Sequence, residues 1–249
     1  MDAVATPVRA PLEQLLHLAD NALVLGQRNA EWCGNGPVLE EDIALANMSL
    51  DLIGQARLLY QHAATVRGDG ATEDSLAYFR DAADFRNFTL LELPHASASS
   101  ARDYAVTIVR NFLYSAYMLL QWEALQSSGD AQLAGIAGKS LKEVTYHFRH
   151  SHGWLVRLGD GTAESQQRSQ AALNQLMPYT LEFWSGETST LRTRWDGLVK
   201  DALQEADLSR PPLLQAALPQ GKNGRHSEHL APLLAEMQSL ARAHPQALW

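Results

Sequence analysis

The sequence predicts an all-α protein, and three observations carry that reading. Apolar residues recur at helical three- and four-residue spacing through most of the chain. No stretch sustains an apolar–polar alternation bounded by hairpin turns. Clusters of Gly, Pro, Ser and Asp separate the periodic segments at short intervals, so the connections are brief.

The first helix is predicted from about Pro11 to Asn29. Proline suits a first turn, and Leu12, Leu15, Leu16, Ala19, Leu23 and Ala30 keep helical spacing until Gly34-Asn35-Gly36-Pro37 ends the segment. The second covers about Leu39 to Val66 and stops at Gly68-Asp69-Gly70. It carries two apolar stripes, Ile43, Ala46, Leu50 and Ile53 on one side and Leu45, Met48, Leu52, Ala56 and Leu59 on another, so both sides are expected to be buried. A shorter helix over about Glu73 to Leu91 precedes Pro94. The next long one starts at Ser99 or Ser100, either able to cap it, and runs to Ser127-Ser128-Gly129. Asp130 caps another that extends to Leu158 and closes in Gly159-Asp160-Gly161. Helices from Ala163 to Trp184 and from about Ser189 to Ala206 follow. Pro211-Pro212 and the Gly221–Gly224 loop then lead to a last helix, about Ser227 to His244, with Pro232 marking a kink or a later start. Four long core helices with others packed outside predict a four-helix bundle. Every candidate linker is short, so residues 1–249 read as one helical domain.

Composition narrows the function. The 249 residues suffice for a substantial core, and 46% hydrophobic content fits a globular protein. A formal charge of -8, from 20 basic and 28 acidic residues, argues against a general nucleic-acid binder. Cys33 is the only cysteine, so no intrachain disulfide can form, which fits a reducing cytoplasm. The N-terminus has no basic segment ahead of an apolar one, and the strongest apolar run, Phe112 to Leu120, is too short for a bilayer. Neither a secretory signal nor a membrane span is expected. The chain has no Gly-x-Ser-x-Gly elbow, dinucleotide fingerprint or P-loop.

Asp51 is the residue that needs explaining, because Asn47, Asp51 and Gly54 fall at i, i+4, i+7 on a helix expected to be buried all round. A buried carboxylate is expected to be paired, and Arg28 or Arg57 is the expected partner. His147 reads as a hydrogen-bonded core residue; with His150 it could make a two-ligand clip, whereas His152 turns away. In the tail, Lys222, Arg225 and His226 form a basic loop ahead of a helix N-terminus. Such a loop can hold a phosphate or a partner's carboxylate through backbone N–H groups, or be a solvated connector.

Several strings, in order and spacing, carry a resemblance. They are Leu25-Gly26-Gln27-Arg28, Glu31-Trp32-Cys33-Gly34, Pro37 through Arg57, Lys142 through His147, Gly153-Trp154-Leu155, Arg157 through Thr162, His226 through Leu230 and Leu234 through Gln238. With them the chain resembles the structural, non-catalytic subunit family of the bacterial phenylacetyl-coenzyme A epoxidase, a ring-epoxidising monooxygenase of aerobic phenylacetate degradation. The resemblance implies a ferritin-like bundle that stabilises a catalytic di-iron subunit. It further implies heterodimers that dimerise again, a reductase using NADPH, consumption of O2, and no cofactor in this chain.

A di-iron bundle wants a carboxylate from each of two helices and a Glu-x-x-His pair from each of the other two. Against that pattern Asp51-x-x-Gly54 lacks the imidazole, and Val144 stands where His147 would need a Glu, with Glu143 one residue out of register. Asp51, Gly54, Val144 and His147 are therefore read as a degenerate site, with no catalytic or metal-binding residues expected. The alternative is a di-iron oxygenase active in its own right.

Overall fold

The computed structural model describes residues 8–98, 100–184, 189–212 and 220–247. Ser99, one of the two predicted caps, and Trp249 lie outside them. Among the described residues there is no strand, only an isolated bridge between Gln220 and Arg225.

Four long helices build the bundle: α1 (Leu12–Ala30), α2 (Leu39–Arg67), α5 (Tyr104–Leu125) and α6 (Ala131–Gly159). Between α2 and α5 lie the short α3 (Glu73–Tyr78) and α4 (Thr89–Glu92), and after α6 come α7 (Ala163–Leu176), α8 (Ser189–Glu205) and α9 (Leu230–Ala243). α1 packs most extensively on α2 and α5 on α6, while α2 meets α6 across the bundle. α5 is the central element: Val106, Ile108, Val109, Phe112, Leu113 and Ala116 are fully buried, and α7 and α8 close its outer side. Gly26 lets α1 and α2 approach, since a Cβ there would sit 3.3 Å from both Leu52 and Ile53.

The predicted caps hold where polar side chains reach the first turn. Asp130 accepts from the Gln132 and Leu133 N–H groups at the start of α6. α2 ends at Gly68, whose φ of 72° is left-handed. α5 starts later than Ser99 or Ser100 because Asp103 caps it, accepting from Ala105 N–H.

Two predicted helices are shorter than their patterns. The Glu73–Leu91 segment breaks after Tyr78 into a 3-10 turn, Ala82–Asp84, and extended chain. Here tertiary bonds replace helical ones. Arg86 N–H donates to Asp20 at 2.8 Å and Phe88 N–H to Asn21 at 2.7 Å, so the segment straps across α1 and buries Phe85 and Phe88. The Ala163–Trp184 helix tightens to 3-10 geometry from Met177 onward, at Pro178.

The largest departure concerns α2. Leu45, Met48, Leu52, Ala56 and Leu59 are buried as expected. The other stripe faces solvent: Leu39 is 72% exposed, Ile43 51%, Leu50 66% and Ile53 38%. α1, α3 and α6 pack on α2 along its buried stripe, so Leu39, Ile43 and Leu50 stand in solvent while Ile53 leans partly on Gly26 of α1.

Candidate functional site

A polar seam joins α2 to α6. His150 Nε2–H donates to Glu41 at 2.8 Å, His147 Nε2–H to Asp51 at 3.1 Å, Gln55 Nε2–H to Glu143 at 2.9 Å and His62 Nε2–H to Asp130 at 2.7 Å. Rising numbers on α2 meet falling numbers on α6, so the helices run antiparallel. Glu41 also accepts from the Tyr104 hydroxyl at 2.6 Å, and burial together with that carboxylate pushes the phenol pKa upward.

Across the bundle Asn29 of α1 and Asn111 of α5 exchange two amide hydrogen bonds of 2.9 and 3.0 Å, and the Ser115 and Ser151 hydroxyls of α5 and α6 meet at 3.3 Å. Below them His95 Nε2–H donates to the Arg28 carbonyl at 2.7 Å. Its Nδ1 accepts from Thr107 at 2.6 Å, Arg110 at 2.7 Å and Trp32 at 3.2 Å. Three donors on one nitrogen fix the neutral ring, and burial, then the Arg110 charge, takes its pKa down to about 2.

Asp51 does not sit where its pattern suggested. Its side chain is 37% exposed at the edge of the seam, and its partner is His147 rather than either arginine. Arg28 pairs with Glu31 at 2.6 Å and donates to the Glu92 carbonyl, while Arg57 pairs with Glu73 at 3.0 Å. Gly54 opens outward, with nothing within 4 Å of a Cβ built there. One residue on from Asp51 and Gly54, the i, i+3 pair Leu52 and Gln55 is buried. On α6, Val144 and His147 are both buried.

This donor set does not suit two iron ions. It sets each imidazole of the seam against a single carboxylate, with an amide pair between α1 and α5 and a hydroxyl pair between α5 and α6. Among the described residues no three His, Cys, Asp or Glu side chains converge on one point.

The carboxylate that the first helix does bury is Asp20, fully shielded, which holds Arg80, the Tyr60 hydroxyl and the Arg86 N–H together. Asp20 was legible as a polar residue mid-helix; Arg80 was not, because it lies beyond the break in the third predicted helix. Cys33, a residue type that most often packs as a small buried hydrophobe, is exposed.

The structure separates the three tail residues. His226 turns inward, donating from Nδ1 to Glu92 and from Nε2 to the Phe85 carbonyl at 2.9 Å. Burial opposes a charge on this ring, but Glu92 outweighs it and the pKa is raised above the usual imidazole value. The backbone donors of the loop are spent internally. Gly221 N–H goes to Thr89, Lys222 N–H to Glu182, Asn223 and Arg225 N–H to the Gln220 carbonyl, and Ser227 N–H to Glu92. The expected backbone cradle for an anion is thus filled by the chain's own groups, and α9 begins only at Leu230. Arg225 is exposed and donates to Gln220, while Lys222 lines a cavity of about 510 Å³ with His17, Arg86 and Gln121.

Helix order and packing define a ferritin-like helical bundle whose described centre holds apolar side chains, neutral amide and hydroxyl pairs and the buried Arg110–His95 contact. Residues 2–249 match the family described as phenylacetic acid catabolic protein, and the chain belongs to that family. It is 43% identical over 248 residues to a subunit of the 1,2-phenylacetyl-CoA epoxidase of Escherichia coli strain K12, covering 94% of this chain and 97% of that protein.

Proposed function

We propose that this chain is the structural subunit of a multicomponent phenylacetyl-CoA ring-epoxidising monooxygenase. In that complex it stabilises a separate ferritin-like subunit that holds the di-iron centre, uses O2, and receives electrons from NADPH through a reductase. The observation that carries the reading is the interior of the bundle. Asn29 and Asn111 satisfy one another between α1 and α5, and Ser115 and Ser151 between α5 and α6, neutral groups in a bundle interior where a di-iron protein needs ionised ligands. The similarity to a protein named as one subunit of an epoxidase supports the same assignment. The α2/α6 seam of His–carboxylate pairs then serves to hold the helices in register.

Co-expression with the catalytic subunit, followed by mass determination and iron analysis of each chain, tests this. A stable pair with iron confined to the partner is expected, and near two irons on this chain after aerobic iron loading would overturn the proposal. Lys222 and Arg225 are proposed to act through charge alone, toward an acidic partner surface or the phosphates of coenzyme A, with His226 structural. Replacing both with Ala should leave the fold intact and weaken assembly or raise the KM for substrate severalfold at low salt, fading as salt rises. No change at any salt would make the loop a connector.

A further inference from the structure

Where the start of α1 meets the end of α5, the Arg86 strap and the Lys222 loop close a cavity of about 510 Å³, the size of a small-molecule site. Its polar wall is cationic. Arg86 donates to the Ala83 and Phe85 carbonyls, neutral acceptors that leave its charge uncompensated. Lys222 brings a second charge beside the His17 ring. That ring donates from Nδ1 to the Arg86 carbonyl at 2.6 Å and accepts from Asn21 at Nε2 over 3.2 Å. Burial, joined by the Lys222 charge and opposed by the bond to Arg86, takes the His17 pKa down to about 4, so the imidazole is neutral. Gln121 adds a donor, since its amide nitrogen is buried with no acceptor among the described residues.

The rest of the wall is apolar. Leu18, Tyr117 and Leu125 line it, and Phe88 meets the Tyr117 ring edge-on at 5.5 Å and the His17 ring at 4.6 Å. Among the lining residues the only carboxylate is Glu13, exposed in the first turn of α1. Two cations against one acid leave a single positive charge, which suits a monoanion better than a phosphate dianion. The packed rings beside it suit a flat apolar body.

We propose that this cavity binds a small organic carboxylate, its head held by Arg86, Lys222 and the Gln121 amide and its ring-sized body laid on Leu18, Tyr117 and Leu125. The site lies within one chain, so the inference adds to the scaffold reading and does not depend on it.

Calorimetric titration of the full chain with phenylacetate, acetate, phenylacetamide and ADP separates head from body. Phenylacetate should bind once per chain. Acetate and the neutral amide should each bind about tenfold or more weakly, because the first lacks the ring and the second the charge. Lys222→Ala should weaken phenylacetate by about tenfold, whereas Glu13→Gln should tighten it severalfold at low salt. Lys200→Ala, which removes an exposed cation of α8, should change nothing. All three variants should melt within about 3 °C of the parent, so a loss of binding is not a loss of fold. A parent that binds phenylacetate no better than acetate or phenylacetamide would overturn the site, as would binding indifferent to Lys222→Ala. ADP binding more tightly than phenylacetate, with the same dependence on Lys222, would overturn the carboxylate and give the cavity to phosphate. Pairing with the catalytic subunit is measured separately, so failure here leaves the scaffold function standing.

Discussion

Asp20 and Asp51 carry the same carboxylate on neighbouring helices and should differ severalfold in what they contribute. Asp20 is fully buried and ties Arg80, itself 10% exposed, to α1. Asp20→Ala strands that guanidinium in the interior, and a loss of about 3–5 kcal/mol in denaturant unfolding is expected. Asp51 is part-exposed and faces one imidazole, so Asp51→Ala should cost about 1 kcal/mol or less. Equal losses for the two would mean that the burial assigned to these side chains is wrong. The polarity of both was legible in the sequence, whereas their partners were not. Asp51 has a formal cation six positions away on its own helix, and the structure gives it His147 from α6 instead, because seam partners follow helix crossing and not sequence distance.

At the scale of elements, boundaries were legible where a side chain or a glycine enforces them and illegible where tertiary bonds do. Asp130 shows the first case. One oxygen caps α6 through the Gln132 and Leu133 N–H groups, and the other accepts from Ala10 N–H at 2.7 Å and from His62. Asp130→Ala removes the cap and leaves those donors without an acceptor, so about 2–3 kcal/mol is the expected cost in chemical denaturation. A loss of about 0.5 kcal/mol would show that water replaces the carboxylate. The segment after Tyr78 shows the second case: its apolar spacing is helical, but Asp20 and Asn21 draw its N–H groups into a strap. α2 shows a third. Two apolar stripes on one helix reveal that both faces avoid water, but not that the chain covers only one of them.

Across the whole molecule, the all-α class and the four long helices followed from periodicity alone, because α1, α2, α5 and α6 each bury a face against a neighbour within the chain. What periodicity missed is how the C-terminal segment is fastened to the strap before α5, a contact between residues more than a hundred positions apart. Glu92 is fully buried and accepts from Asn87, His226, and the N–H and hydroxyl of Ser227, while a Cβ on Gly221 would lie 2.3 Å from the Asn87 carbonyl. The ring of His226 donates from both nitrogens, the state of an imidazolium. Its folded pKa is raised, so its share of the stability is fully present below the unfolded value of 6.5 and is lost as pH rises through the higher folded value. Glu92→Ala should therefore destabilise the protein by about 3 kcal/mol or more at pH 6, since it leaves a charged ring that is 7% exposed without its partner. The gap between parent and variant should narrow as pH rises past that folded value, where the imidazolium no longer needs a carboxylate. Hydrogen exchange of the α9 amides should report the same loss, because the clasp joins that segment to α4. A gap that stays constant from pH 6 to pH 9 would mean that the contact is held by the neutral hydrogen bonds of Asn87 and Ser227, and that His226 carries no charge in the folded protein.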